Sequence, residues 1–471
     1  MGAERRVAVG TDGLRCWVEP FDREILWILD QLAEWLGVRR LDAVPGDVRP
    51  HLHYGPGEPA PGAAIVMRPA PGDLLWPAAI EGTIDPALLP REIPFDLLAA
   101  TAALLTDRPH WAIQAGALDP HGRLTFAASE PSRNGYGEHA IVDRYALLLA
   151  ALADQRLGVI ARPLWPAGRR AAIGLSHDVD HPDRYPHARL LRRPWGLRRA
   201  PRTLLQAALM EENRARKDPR REAWPFDALR ASETRRGFRS TFFFAATSRF
   251  ARNASLLDVP YDIREPRFET LLRALRDDGV ELGLHASYRA HEVPGRLAAE
   301  KARLERVAGT QVHGVRHHYW QLGPDPATTL RAHAKAGFRY DSSLAFNDHP
   351  GFRRSVARGF NPFDPVHGRA LRTRQLPVFC MDGSVLYGSD DVDAAVGSVA
   401  GFVAEIRGVG GLGVIDWHAE TSIPDGLRPA WGVAYEEILD LVAADPGLWV
   451  TDLGSIDRWL SERAAATSPI N

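Results

Sequence analysis

Cysteine is scarce: the 471 residues include two, Cys16 and Cys380. Two thiols cannot build a disulfide framework or a thiolate zinc site, so any metal must rest mainly on His, Asp or Glu. Net charge is also nearly absent. The 58 Lys+Arg and 59 Asp+Glu residues leave a formal charge of −1 at pH 7, which gives no global reason to expect nucleic acid as a partner. Lysine is almost missing (Lys217, Lys301 and Lys335 only), so arginine carries the positive charge. No long apolar run occurs. The most hydrophobic stretches, around Leu97–Leu105 and Ala146–Ala153, are far shorter than the roughly 20 residues that span a bilayer, so no transmembrane segment is expected. The N-terminus, Met1-Gly2-Ala3-Glu4-Arg5-Arg6, shows neither an apolar signal core nor a small-residue cleavage site, and the expected location is cytoplasmic.

What is present is histidine, 17 residues, in a chain that is 45% hydrophobic and 25% charged. Those fractions are those of an ordinary soluble globular protein. The length exceeds what one hydrophobic core usually serves, so two domains, or one large barrel plus a module, are expected. Together these features point to an enzyme whose polar chemistry depends on imidazole and carboxylate.

Residues 1–165 carry mixed signals. A strand pattern at Ala64–Arg68 and helical patterns at Phe95–Leu105 and Val142–Leu152 are separated by turns such as Gly55-Pro56-Gly57-Glu58-Pro59. No catalytic constellation is visible there, and the segment is read as an accessory α/β domain of unknown role. Pro163-Leu164-Trp165-Pro166-Ala167-Gly168 reads as a linker. A regular rhythm follows over 166–471. Strand patterns fall at Ala171–Ser176, Ser240–Ala245, Val280–His285, Val312–Tyr319, Arg339–Leu344, Leu371–Met381, Gly413–His418 and Leu448–Leu453. Helical patterns at Phe268–Asp278, Leu297–Ala308 and Ala327–Ala336 are each followed by glycine, a common helix-terminating residue. Repeated helix–Gly–strand units imply parallel strands joined by crossovers, in an open sheet or a closed barrel. In either architecture chemistry gathers at the C-terminal strand ends.

Those ends are rich in candidates. The first strand runs into Ser176-His177-Asp178-Val179-Asp180-His181, and alternation in an extended chain lets Asp178 and Asp180 share a face. Two close carboxylates resist joint ionisation unless a cation lies between them or their roles are split. The other ends supply His285, Arg316-His317-His318, Asp341 and Asp416-Trp417-His418. Carboxylate or imidazole at the same end of five strands points to a metal site.

These residues resemble the polysaccharide deacetylase family, the NodB-homology (family 4) carbohydrate esterases, in the branch whose first motif reads His-Asp-Val-Asp. The resemblance spans about Arg169 to Trp459 in matching order and includes the second strand Ser240-Thr241-Phe242-Phe243-Phe244. It implies an α/β fold, a distorted (β/α)7-type barrel, and one divalent metal ion, usually zinc, used to remove acyl groups from N-acylated sugars. It also implies a carbohydrate or glycoconjugate partner. By position, the resemblance makes Asp178 the general base, Asp180 and His285 metal ligands, Arg316 the group that orients the base, and His418 the general acid. Asp341 belongs to a later motif and counts with the catalytic set.

Several positions depart from the family pattern. Val179 separates the two aspartates, so the base and ligand roles of Asp178 and Asp180 can exchange. The family's second histidine falls four residues after His285, where this chain has Arg289. His318 is the expected third ligand, because it lies two residues from Arg316 on a strand, with His291 in reserve. His317 is expected to face the barrel wall. The leading expectation is an N-deacetylase of an amino sugar. Rival readings are a hydrolase of a small amide or ureide, a glycan-binding protein with a degenerate site, and an Asp-x-Asp glycosyltransferase. The glycosyltransferase reading leaves the histidines and Arg316 unexplained. Gly408-Val409-Gly410-Gly411-Leu412-Gly413 matches a dinucleotide pattern but follows a helix and precedes a strand, the wrong order for holding phosphate at a helix start. The arginine-dense stretch Arg184–Arg221 is read as a solvated helical insertion whose basic first half, Arg189–Trp195, is open to contact with an anionic glycan or a membrane surface.

Overall fold

The computed structural model describes residues 13–43, 50–59, 63–69, 93, 95–107, 117–183, 191, 202–217, 224–251, 254–426 and 428–467. Near the N-terminus, β1 (Leu14–Val18), β2 (Arg40–Asp42), β3 (Leu52–Tyr54) and β4 (Ile65–Met67) form a parallel sheet in the order β2-β1-β3-β4. Helix Arg23–Leu36 starts at Asp22, whose carboxylate accepts from the backbone N–H of Glu24 and Ile25. That contact satisfies two donors the helix itself leaves unpaired. The helices Leu97–Leu105 and Ile141–Leu157 complete this layer, the second running five residues beyond the expected Leu152.

The second layer is the barrel. Its strands are β5 (Ala171–Val179), β6 (Ser240–Ala245), β7 (Glu281–Ala286), β8 (Gly314–His317), β9 (Tyr340–Asp341), β12 (Arg374–Gln375), β13 (Val378–Met381), β14 (Leu412–Asp416) and β15 (Leu448–Thr451). A small antiparallel ladder, β10 (Phe363–Asp364) with β11 (Arg369–Ala370), lies outside it and has no counterpart in the expected strands. The large sheet is parallel, in the order β12-β9-β8-β7-β6-β5-β14-β13. Both terminal strands of that order come from one segment, with only Leu376 and Pro377 between them. The sheet therefore curls until its two ends meet. The single expected strand Leu371–Met381 is split there because proline offers no N–H to a ladder. One edge of β5 is shared, with β15 beside its first half and β6 beside its second.

Three apolar clusters hold these layers. One lies between the barrel wall and its helices, one inside the barrel around Phe243, Tyr340 and Leu412, and one in the N-terminal layer. The N-terminal cluster includes Leu344, Val356 and Phe360 from the barrel loops, so the two layers share a core. Buried ion pairs join them too: Arg354 Nε to Asp107 Oδ2 at 2.7 Å and Arg358 Nε to Asp143 Oδ1 at 2.6 Å. Of the arginine-dense insertion, Arg202–Ala215 is helical as expected, while all of Arg189–Trp195 except residue 191 lies outside the described residues. The glycine-rich segment after Gly408 is a turn from helix Val392–Val409 into β14. No helix among the described residues is long and apolar enough to cross a membrane.

Candidate active site

Alternation along β5 sorts the first motif. Ser176 and Asp178 face the barrel interior, where both meet Arg316. His177 points the other way: its Nδ1 donates to the Trp417 carbonyl at 2.7 Å and its Nε2 lies 2.8 Å from Glu233 Oε1, which also receives the Tyr435 hydroxyl. His177 is thus tied into the wall.

Arg316 is fully buried and lies 4.4 Å over the Phe243 ring. Phe243 can occupy that place because Gly283 has no side chain; a Cβ there would lie 2.4 Å from the ring. The guanidinium donates through Nη1 to Asp178 Oδ1 (3.0 Å) and Asp416 Oδ1 (2.7 Å), through Nη2 to the hydroxyls of Ser176 and Ser342, and through Nε to the Ser342 carbonyl. Arg316 therefore grips two carboxylates, and Asp416 is the partner that the sequence reading assigned no role.

Asp180, His285 and His318 converge. Asp180 Oδ1 lies 3.2 Å from His285 Nε2, and Asp180 Oδ2 lies 3.1 Å from His318 Nε2. One donor atom from each falls within 4.8 Å of the others. His285 Nδ1 donates to the Arg316 carbonyl at 3.2 Å, which turns the Nε2 lone pair inward, as supporting hydrogen bonds of metal-ligating histidines do. His285 Nε2 and Asp180 Oδ1 are both buried without a hydrogen-bond partner. Orphaned buried polar atoms are costly, and a divalent cation would satisfy both, so this two-nitrogen, one-carboxylate set fits a metal such as zinc.

His318 reaches the cluster by an unexpected route. β8 ends at His317, and His318–Trp320 forms a tight turn in which Tyr319 and Trp320 take φ of 58° and 55°. Non-glycine residues adopt that conformation only when their surroundings enforce it. His291 stays outside the cluster, with Nε2 3.7 Å from Glu292 Oε1. His318→Ala is accordingly expected to lose metal by more than the about 10–100-fold that loss of a supporting partner costs, with His291→Ala retaining it. Equilibrium dialysis against zinc or cobalt reads both; retention in His318→Ala with loss in His291→Ala would reverse the assignment.

His418 follows β14, and its Nε2 lies 3.7 Å from Asp180 Oδ2. Its Nδ1 donates to Asp382 Oδ1 at 2.9 Å, and Asp382 Oδ2 accepts from the His418 backbone N–H and the Thr421 hydroxyl. Asp382 escaped the sequence reading, although it immediately follows a strand pattern and so obeys the strand-end rule. Glu420, also unanticipated, is 8% exposed with Oε2 buried and unpartnered.

Asp341 is not brought to these groups. Its Oδ1 accepts from the Ser343 backbone and hydroxyl and its Oδ2 from Gln375, all within the wall. His317 pairs with His333 at 2.8 Å between Nε2 atoms, so it faces away from the centre. Phe346, Phe352, Phe360, Trp417 and Trp431 are buried among core groups, and the partly exposed rings near the centre are Tyr288 and Tyr319. Asp348 and His349 dock the N-terminal layer: Asp348 accepts from the Phe126 N–H and His349 stacks on the Phe126 ring at 4.0 Å.

The electrostatics separate acid from base. Burial alone would raise the Asp178 pKa, but His285, Arg316 and His418 outweigh it and hold the carboxyl below its ordinary value. Asp180 is held well below by His318 and His285 against the same burial. Burial pulls His418 down, but the Asp382 carboxylate outweighs it and keeps the ring charged well above the ordinary histidine range. Burial drives Asp416 up to about 7 and Glu420 up to about 8, despite the charges of Arg316 and His418 respectively.

The chain is similar to polysaccharide deacetylases of known structure. A protein assigned as one from Mycobacterium smegmatis is 19% identical, over 65% of this chain and 94% of that one, with a TM-score of 0.43. Another from Pseudomonas aeruginosa PAO1 is 14% identical, over 66% and 97%, with a TM-score of 0.42. A family 4 carbohydrate esterase from Streptomyces lividans, in complex with acetate, is 14% identical over 60% and 92%, with a TM-score of 0.30. No protein-family model and no curated protein sequence matches the chain.

Proposed function

We propose that the protein is a metal-dependent hydrolase of C–N acyl bonds, acting as an N-deacetylase on an amino sugar of a polysaccharide or glycoconjugate. One observation carries this reading. A carboxylate kept ionised and an imidazole kept charged flank the same Asp-His-His cluster, which is the division of labour that amide hydrolysis needs.

A divalent metal held by Asp180, His285 and His318 would polarise the acyl oxygen and acidify a bound water. Asp178, oriented by Arg316, accepts the proton released as the new C–O bond forms. Arginine suits that grip because its planar fork meets carboxylate oxygens directly and stays charged. The Nδ1 proton of His418 is committed to Asp382, so the proton given to the departing amine comes from Nε2. Asp180 and His418 are 20% and 22% exposed, which leaves the centre open to substrate at the barrel mouth.

The test is acetate release from a panel of N-acetyl sugars and precursors under added zinc or cobalt, comparing wild type with Asp178→Asn; equal rates in both would overturn the mechanism. The His418 role makes its own prediction. Asp382→Asn removes the charge that raises the His418 pKa, so the alkaline limb of kcat should move to lower pH, with activity down about 10–100-fold. An unmoved limb would remove His418 as the acid.

A further inference from the structure

The ladder between β5 and β14 stops short of the reacting groups. It runs from Leu412 opposite Ala172 to Asp416 opposite Ser176, and its last bond is the Trp417 N–H to the Ser176 carbonyl at 3.0 Å. Beyond Ser176, β5 continues to Val179 paired with β6. Asp178 and His418 therefore stand on two segments that the ladder no longer joins. One side chain bridges them from behind. His177 precedes the base and points away from it by alternation. Its Nδ1 donates at 2.7 Å to the carbonyl of Trp417, the residue before the acid.

The imidazole is itself fixed. Its Nε2 lies 2.8 Å from Glu233 Oε1 on the helix Phe226–Arg235. Tyr435, on the helix Pro429–Ala443, donates to the same oxygen at 2.7 Å, and Ser240 at the start of β6 donates to Oε2 at 2.6 Å. All four side chains are buried. The carbonyl can only accept, so Nδ1 carries a proton, and turning the ring over would set a C–H against the oxygen. Phe242 and Tyr435 close on the ring at 4.8 and 5.6 Å between centroids. Stability alone is a poor reason for this arrangement, because buried ionic ties are often no better than well-packed apolar groups of the same volume. Its place is informative instead. Asp382 holds His418 from the β13 side, and the His177 bond is the restraint on the β5 side, where the base is.

We infer that His177 is a positioning residue for the proposed reaction. Through the Trp417 carbonyl it sets the segment bearing His418 against Asp178, and Glu233, Tyr435 and Ser240 hold the imidazole in place. What the positioning serves rests on the reading of Asp178 as base and His418 as acid. A reacting group displaced by about 1 Å can cost about 100-fold in rate, so the bond has an effect out of proportion to its own strength.

Two substitutions separate the two bonds of the ring. His177→Asn places an amide N–H where the Nδ1–H stood and gives up Glu233, whereas His177→Gln reaches Glu233 and gives up the Trp417 carbonyl. In His177→Gln, kcat for acetate release from the N-acetyl sugar that wild type turns over fastest is expected to fall about 100-fold, with KM and zinc affinity nearly unchanged. In His177→Asn most of that loss should be recovered. Amide hydrogen exchange reads the same displacement without turnover. The Trp417 and His418 amides should exchange about tenfold faster in His177→Gln, equivalent to about 1.4 kcal/mol, and near the wild-type rate in His177→Asn. Should His177→Gln fail to fold, His177→Phe, which keeps a ring and loses both N–H groups, takes its place. Equal kcat in the two variants, or unchanged exchange in a folded His177→Gln or His177→Phe protein, overturns the inference, because a purely structural tie would lower stability in both without separating them. No acetate release from wild type would sink the deacetylase reading, and the exchange comparison then decides the positioning alone. Acetate release with equal exchange in both variants would sink the positioning and leave the reaction standing.

Discussion

Asp178→Asn is expected to lower acetate release by about 10²–10⁴-fold, the range that positioned proton transfer contributes, while leaving metal affinity nearly unchanged. The substitution keeps shape and one oxygen, so Arg316 can still donate to the side chain, but an amide cannot take up a proton. The sign of the pH dependence follows from the depressed Asp178 pKa. In wild type the base is ionised from below its ordinary range upward, so on the acid side activity should fall only once pH drops into the acidic range, and neutral solutions should lie on the plateau below the His418 limb. In Asp178→Asn that acid limb should vanish along with most of the rate. The comparison must include a metal titration, because Asp178 Oδ2 also lies 3.7 Å from His285 Nε2. If Asp178 were a ligand and Asp180 the base, the exchange that Val179 leaves open, Asp178→Asn would lose metal and Asp180→Asn would not. The unpartnered Asp180 Oδ1, on a carboxylate set between two imidazoles, favours Asp180 as the ligand and Asp178 as the base.

The effect of metal on protonation gives a further check. His285 is pulled down by burial but raised overall by Asp178 and Asp180, so without a cation a proton competes for the place that a metal would take. Metal binding should therefore release protons and weaken as pH falls, as ligation by neutral imidazole requires. Calorimetry in buffers of different ionisation enthalpy reads the protons released. A proton count of zero across pH 5–8 would contradict this account.

The barrel was legible because its signals are local. The strands β5, β6, β7, β14 and β15 fall within a few residues of their patterns, since burial on both faces writes a short apolar run and helices stop at a glycine. The pattern failed where a rule of chain geometry intervened. Pro377 broke one strand into two, and those two became the opposite ends of the sheet. Asp178 and Asp180 were grouped through alternation, which fixes facing without tertiary knowledge, whereas His285 was named from its strand end and the family resemblance, and Arg316 from the resemblance. His318 was named from that same alternation but arrives through a left-handed turn, so the residue was identified for a reason that the geometry replaces. Asp341 was misplaced because a motif position carries no information on facing, and its carboxylate is taken up by Ser343 and Gln375. Asp382 acts through His418 between the neighbouring strands β13 and β14, and Asp416 acts through Arg316 across the barrel interior, from β14 to β8. Such partners depend on register, Met381 opposite Asp416, which a single sequence does not display. The contact between residues 117–126 and the Tyr319 turn spans almost 200 positions, beyond any periodic signal.

Arg316→Met is expected to have the largest effect on stability, about 3–5 kcal/mol, the cost of breaking a buried ion pair by removing one partner. Arg316 is fully buried, and its loss leaves Asp178 and Asp416 side by side without a cation and the hydroxyls of Ser176 and Ser342 without a donor. Two carboxylates in that position cannot both stay ionised, so one takes up a proton. Asp416 is the better candidate, since burial already pushes it up to about 7 with the arginine present. The double variant Arg316→Met/Asp416→Asn should then recover part of the lost stability, yet remain inactive because Asp178 has lost the group that orients it. Asp416→Asn alone has a distinct signature with a defined sign. Its folded pKa lies above the ordinary value of about 4, so the native state retains a proton that the unfolded chain gives up between about pH 4 and 7. Stability is fully present below that window and declines as pH rises through it. Asn has no such proton, so in Asp416→Asn this decline should flatten. Denaturant unfolding at pH 4.5, 6 and 8 reads both effects. A loss below about 1 kcal/mol in Arg316→Met would mean that water reaches the two carboxylates, and the dry, pre-oriented base on which the hydrolytic reading depends would have to be abandoned.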